Sequence, residues 1–162
     1  MRGLQRWSAP VLILLVAVSL YGFANRGPVP YGIDKRPMPR GEDPNVLAPA
    51  KVGEFKRPAF PKGTKTPSDE DLTVEYKAGS ETVSFGFSIP GTPEDAREGV
   101  KFTREEAVQS KVDRKGEQYS FEGDPSYYRT AKFMSWSRGG YFFYADASSP
   151  AALDRFMKAF PF

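Results

Sequence analysis

Residues 72–89 read LTVEYKAGSETVSFGFSI, and their pattern decides the fold. Leu72, Val74 and Tyr76 alternate with Thr73, Glu75 and Lys77. Val83, Phe85, Phe87 and Ile89 then alternate with Thr82, Ser84, Gly86 and Ser88. A period of two puts every apolar side chain on one face of a strand and leaves the other face to water. Ala78-Gly79-Ser80-Glu81 supplies the turn, so the stretch predicts a β-hairpin. Gly86 in mid-strand predicts a bulge or a close approach of other atoms to the backbone.

Downstream, Thr92-Pro93-Glu94-Asp95 has the form of a helix start: a capping hydroxyl, proline in the first turn, and acids at the positive end of the dipole. Ala96, Val100, Thr103 and Ala107 give that helix a thin apolar stripe suited to lying on a sheet. Gly99 weakens the helix or permits tight packing. The helix is expected to end near residues 110–113. Strands are expected over 118–122, 127–137 and 141–147, the last two joined by Arg138-Gly139-Gly140. Ser149-Pro150 opens a final helix to residue 160, with Leu153, Phe156, Met157 and Phe160 on one face. The order ββ-α-βββ-α predicts an α+β fold, a mainly antiparallel sheet with two helices packed on one face.

Working upstream, residues 26–50 hold Pro28, Pro30, Pro37, Pro39, Pro44 and Pro49 with Gly27, Gly32 and Gly41. Proline is excluded from helix interiors and central strands, so this segment is expected to be an extended linker with a reach of up to about 75 Å. Residues 1–25 contain the uncharged stretch 7–24, with VLILLVAVSL at 11–20 and Trp7 and Tyr21 at its ends. As a helix it would measure about 27 Å, enough for a thin hydrocarbon core. It therefore predicts membrane engagement, as an uncleaved single-pass anchor or as a secretory signal cleaved after residues 22–24. Arg26, Lys35, Arg36 and Arg40 follow the apolar stretch and favour a cytoplasmic C-terminal side. The very short basic N-terminal tail favours the opposite orientation, and the expectation taken here is an extracytoplasmic α+β domain over 51–162.

Charge divides the same way. Residues 1–51 carry +4 and residues 52–162 carry −1, so the basic character belongs to the N-terminal third. The folded part shows no basic stripe of the kind a nucleic-acid surface needs. With no cysteine and no histidine, disulfide frameworks, thiolate nucleophiles, imidazole bases and the common zinc and haem sites are excluded. Phosphate-cradling glycine loops, the GxSxG elbow and the SxxK dyad are also absent. Asp69-Glu70-Asp71 and Glu105-Glu106 lack metal-loop spacing, and solvated surface is the expectation for both. No cofactor is expected.

One feature departs from a plain sheet. The last hairpin is apolar on both sides, with Met134 and Trp136 against Phe133, and Tyr141 and Phe143 against Phe142 and Tyr144. A strand apolar on both faces is normally buried on both. Either residues 52–60 fold back over the second face, or that face meets a partner or an apolar ligand. Tyr127, Tyr128, Arg129, Arg138, Phe142 and Tyr144 are the candidate interaction surface, since aromatics and arginine anchor interfaces. The sequence thus points to a non-enzymatic binding module, membrane-anchored or exported. The alternatives are an accessory subunit of a membrane assembly, using its apolar span for helix contacts, and a small carboxylate-dependent hydrolase, which needs a pocket holding close acids.

Overall fold

A computed structural model describes residues 28–162; the apolar stretch 7–24 lies outside them. No helix among the described residues is long and apolar enough to cross a membrane. The chain runs β1 (Lys51–Val52), β2 (Phe55–Lys56), β3 (Leu72–Ala78) and β4 (Glu81–Ser88), then a helix (Pro93–Gln109). It continues through β5 (Gln118–Ser120), β6 (Tyr127–Arg129), β7 (Phe133–Arg138) and β8 (Tyr141–Ala147), and ends in a second long helix (Pro150–Ala159). A one-turn helix, α1 (Pro44–Leu47), precedes the strands, so the two long helices are α2 and α3. The strands form one antiparallel sheet in the order β1-β2-β3-β4-β8-β7-β6-β5. The fold is α+β, as the hairpin at 72–89 implies.

The expected helix starts are present in atomic detail. The Thr92 side chain accepts from the Asp95 amide at 3.1 Å, and the Ser149 side chain from the Ala152 amide at 3.0 Å. Each cap satisfies one of the amides that a helix start leaves without a partner.

The two long helices lie on opposite faces of the sheet, which corrects the expectation that both share one. Register shows why. Phe143 and Ala145 of β8 align with Phe87 and Phe85 of β4 and with Trp136 and Met134 of β7. On that face Phe156 of α3 and Phe160, which caps it, lie against Phe85, with ring centroids 5.8 and 4.9 Å away. Phe142 and Tyr144, one residue out of phase, point the other way and cluster with Ala96 and Val100 of α2. Because the pleat sends neighbouring aromatics of β8 to opposite sides, each side needs its own cover. Residues 52–60 do not cover the second face. Phe55 meets Phe156 at 5.7 Å and Phe60 meets Phe87 at 6.3 Å, so this segment thickens the α3 side.

The strand expected over 127–137 is two strands. The chain folds back at 130–133, where the Thr130 amide donates to the Phe133 carbonyl at 2.8 Å and the Phe133 amide donates to the Thr130 hydroxyl at 3.3 Å. A threonine hydroxyl closes this turn without glycine or proline, which is why the sequence hides it.

The larger correction concerns the expected linker. Of the segment 26–50, everything from Pro28 onward is described, and it is a strap folded onto the α3 face. Pro30–Lys35 forms a 3-10 helix and Pro44–Leu47 the helix α1, each with proline in its first turn. Ile33, Leu47 and Ala48 are fully buried in the main core. Arginines of the body hold the strap by its carbonyls. Arg138 donates to the Ile33 and Arg36 carbonyls at 2.9 and 3.1 Å, and Arg57 donates to the Ala48 carbonyl at 2.7 Å. The Tyr76 hydroxyl donates to the Pro49 carbonyl at 2.6 Å, and burial pushes that phenol up to about 12. Tyr31 adopts a left-handed backbone with φ of 57°, costly for a bulky residue. Its hydroxyl donates to Asp154 at 2.5 Å and Arg129 lies 4.6 Å above its ring, so tertiary contacts hold the residue there.

Candidate functional site

The sheet face opposite the strap carries a groove of about 660 Å³ between α2 and the segment 68–71. That size suits a small ligand or one to two turns of a peptide, within the roughly 300–1,000 Å³ usual for binding pockets. The groove exists because α2 is narrow where it meets the sheet. Gly99 lets the helix settle on Phe142, since a Cβ built there would lie 3.0 Å from that ring. Thr103 exchanges a hydroxyl hydrogen bond of 2.7 Å with Ser135 of β7. The helix thereby covers β6, β7 and part of β8, and the sheet beyond its edge stays open.

Tyr144 forms the floor at that edge. It pairs with Gly86 across β8 and β4, and its ring occupies the space over the glycine: a Cβ built on Gly86 would come within 2.1 Å of it. Its hydroxyl reaches past β4 to Thr73 of β3, 2.8 Å away. The strand pairing around Gly86 is regular, so this glycine marks close approach and no bulge. Phe133 stacks on Tyr144 with ring centroids 6.2 Å apart and extends the aromatic floor. Asp146 follows on β8. Partial burial holds its carboxyl above the ordinary aspartate value, and Lys132 draws it partway back.

The structure divides the six residues that the sequence singles out. Tyr128, Phe142 and Tyr144 face α2 and line the groove. Tyr128 is fully buried, and burial raises its phenol, with the negative charge of Glu117 adding to the shift. Tyr127, Arg129 and Arg138 face the other way. Tyr127 is buried in the main core, Arg129 pairs with Asp154 at 3.3 Å, and Arg138 clamps the strap. The six therefore do not form one surface.

Several groove residues escape sequence reasoning. Phe102 is 63% exposed, the most exposed large apolar side chain described, and it lines the groove with Val112 at 54%. Phe102 sits out of phase with the stripe Ala96-Val100-Thr103-Ala107, and that misplaced aromatic is the one available sequence signal. Asp69, Glu70, Asp71 and Glu106 are exposed, in keeping with the expected solvated surface, and the fold gathers them at the rim. Asp71 accepts from the Ser88 hydroxyl at 2.8 Å, which ties the rim segment to β4. Among the described residues no group of three acids is close enough to hold a metal ion. No family model, curated protein or solved structure matches this chain.

Proposed function

We propose that this chain is a non-enzymatic binding module, held at a membrane or exported through residues 7–24, that takes a segment of a partner protein into the groove between α2 and the sheet. The observation that carries the reading is the groove with its uncovered aromatic floor and rim, Tyr144, Phe133 and Phe102, on a body whose other face packs beneath α3 and the strap. Exposed apolar side chains gathered in a concave site are the usual mark of a binding surface. The strap changes the geometry of anchoring. Residues 25–27 alone separate the apolar stretch from the described body, a reach of about 10 Å at full extension. On this reading the module works against the lipid surface, without a long tether.

Two measurements test the proposal. A phosphatase reporter fused after Phe162 is expected to be active; a reporter active only as a cytoplasmic fusion removes the extracytoplasmic address. A photoreactive amino acid in place of Phe102 is expected to trap a discrete protein partner in cells. Ala107→Trp, which fills the groove from α2, is expected to cut that adduct at least about tenfold, as loss of an interface anchor does. Ser110→Trp enters from an exposed position and serves the same purpose if residue 107 disturbs the seat of the helix. Trapping that ignores both substitutions places binding elsewhere.

A further inference from the structure

Residues 28–162 contain 20 Lys and Arg against 20 Asp and Glu, so the body is electrically neutral as a whole. The groove is not. Asp69, Glu70, Asp71, Glu106 and Asp146 line it, and no lysine or arginine does. None of these five carboxylates is in a salt bridge among the described residues, whereas Glu54, Glu75, Glu81, Glu98, Glu117 and Asp154 all are. Lys132 partly offsets Asp146, and the other four carboxylates, left without an ion pair around an apolar floor, set the sign of what enters. Like charges juxtaposed there repel, and a concave low-dielectric wall concentrates the field.

Taking the groove as the binding site, we infer that its occupant is a basic, apolar-rich peptide segment of the partner, with lysine or arginine side chains against the carboxylate rim and an apolar side chain between Phe102 and Tyr144. The long stems of lysine and arginine suit this site, since they lie along apolar surface while the charged head reaches an acid. An acidic or phosphorylated segment is excluded by the same field. A neutral apolar segment would fill the floor and gain nothing from the rim.

The test uses the full-length chain in nanodiscs of phosphatidylcholine, which carry no net charge to attract a cation. Four short peptides are titrated by calorimetry, with empty nanodiscs as the control. Three share one set of Leu and Phe positions and differ only in whether the interleaved residues are Lys, Gln or Glu. The fourth keeps Lys and replaces Leu and Phe with Ser. The Lys peptide is expected to bind at least about tenfold more tightly than the Gln peptide, with the Glu and Ser peptides weaker still. Glu70→Gln combined with Glu106→Gln, two exposed side chains, should erase most of that margin, as should raising salt to about 0.5 M. Equal binding of the Lys and Gln peptides, both blocked by Ala107→Trp, overturns the basic class and leaves the groove as the site. Tight Lys-peptide binding that Ala107→Trp and Ser110→Trp leave untouched overturns the site itself. Binding by none of the four overturns the inference.

Discussion

Deleting residues 28–49, so that residue 27 joins Ala50, is expected to leave the domain unfolded at physiological temperature. The segment carries the proline content of a spacer, and a spacer can be removed without loss of stability. Here Ile33 and Leu47 are fully buried, and burying a side chain of that size contributes about 1.5–3 kcal/mol. Val29 and Tyr31 add partly buried surface to the same core. Removing the strap also removes the entropy cost of ordering it. That relief does not restore what the body loses, because Arg57, Tyr76 and Arg138 all direct their polar groups at strap carbonyls. Each polar group left without its carbonyl adds about 1–3 kcal/mol, so the loss is comparable to a typical total stability of about 5–15 kcal/mol. Ile33→Ala and Leu47→Ala separate packing from chain length, each with an expected cost of about 2–5 kcal/mol in urea unfolding. A deletion variant that melts at the temperature of the intact chain would show the strap to be an ornament on a self-sufficient core.

The strap was hidden from the sequence for a reason that the rest of the chain makes plain. Thr92-Pro93 and Ser149-Pro150 are legible as helix starts because an apolar stripe follows each at helical spacing. Asp43-Pro44 has the same cap-and-proline form, and the Asp43 side chain does accept from the Asn45 amide at 2.8 Å. Its helix lasts a single turn with only Pro44 and Leu47 buried, so no periodicity announces it. Proline density excludes helix interiors and central strands, but it leaves first turns open, and proline suits them. The hairpin at 72–89 was legible because alternation is a local property. Which helix covers which face is not local: it depends on the phase of Phe142 and Tyr144 relative to Phe143 once β8 is placed between β4 and β7. The groove was less legible still. Its carboxylates come from 69–71, from α2 and from β8, and only the folded chain brings them together.

Phe85→Ala and Tyr144→Ala are expected to separate core from site, although both positions are aromatic and both lie in the central strands. Phe85 is fully buried and meets Tyr76, Phe87, Trp136, Phe143, Phe156 and Phe160 with ring centroids 4.9–6.2 Å away. Six rings held in tilted, edge and stacked contacts cannot collapse into the space that one phenyl group vacates, so the cost should fall at about 3–5 kcal/mol. Tyr144 is half-buried, and its loss removes one hydroxyl contact with Thr73 and the ring that covers Gly86. That costs about 1–2 kcal/mol and leaves the domain folded. Partner trapping from position 102 should then be lost with Tyr144→Ala under conditions where the chain is fully native. With Phe85→Ala, trapping should fall only as far as the folded fraction falls. Phe142 stands with the core in this comparison, since it is 5% exposed and seats Gly99 of α2. If Tyr144→Ala shifts the urea midpoint as far as Phe85→Ala does, the α2 side of the sheet is simply a second core. If the two shifts differ as expected, the aromatic floor is dispensable for folding, as the proposed binding role requires.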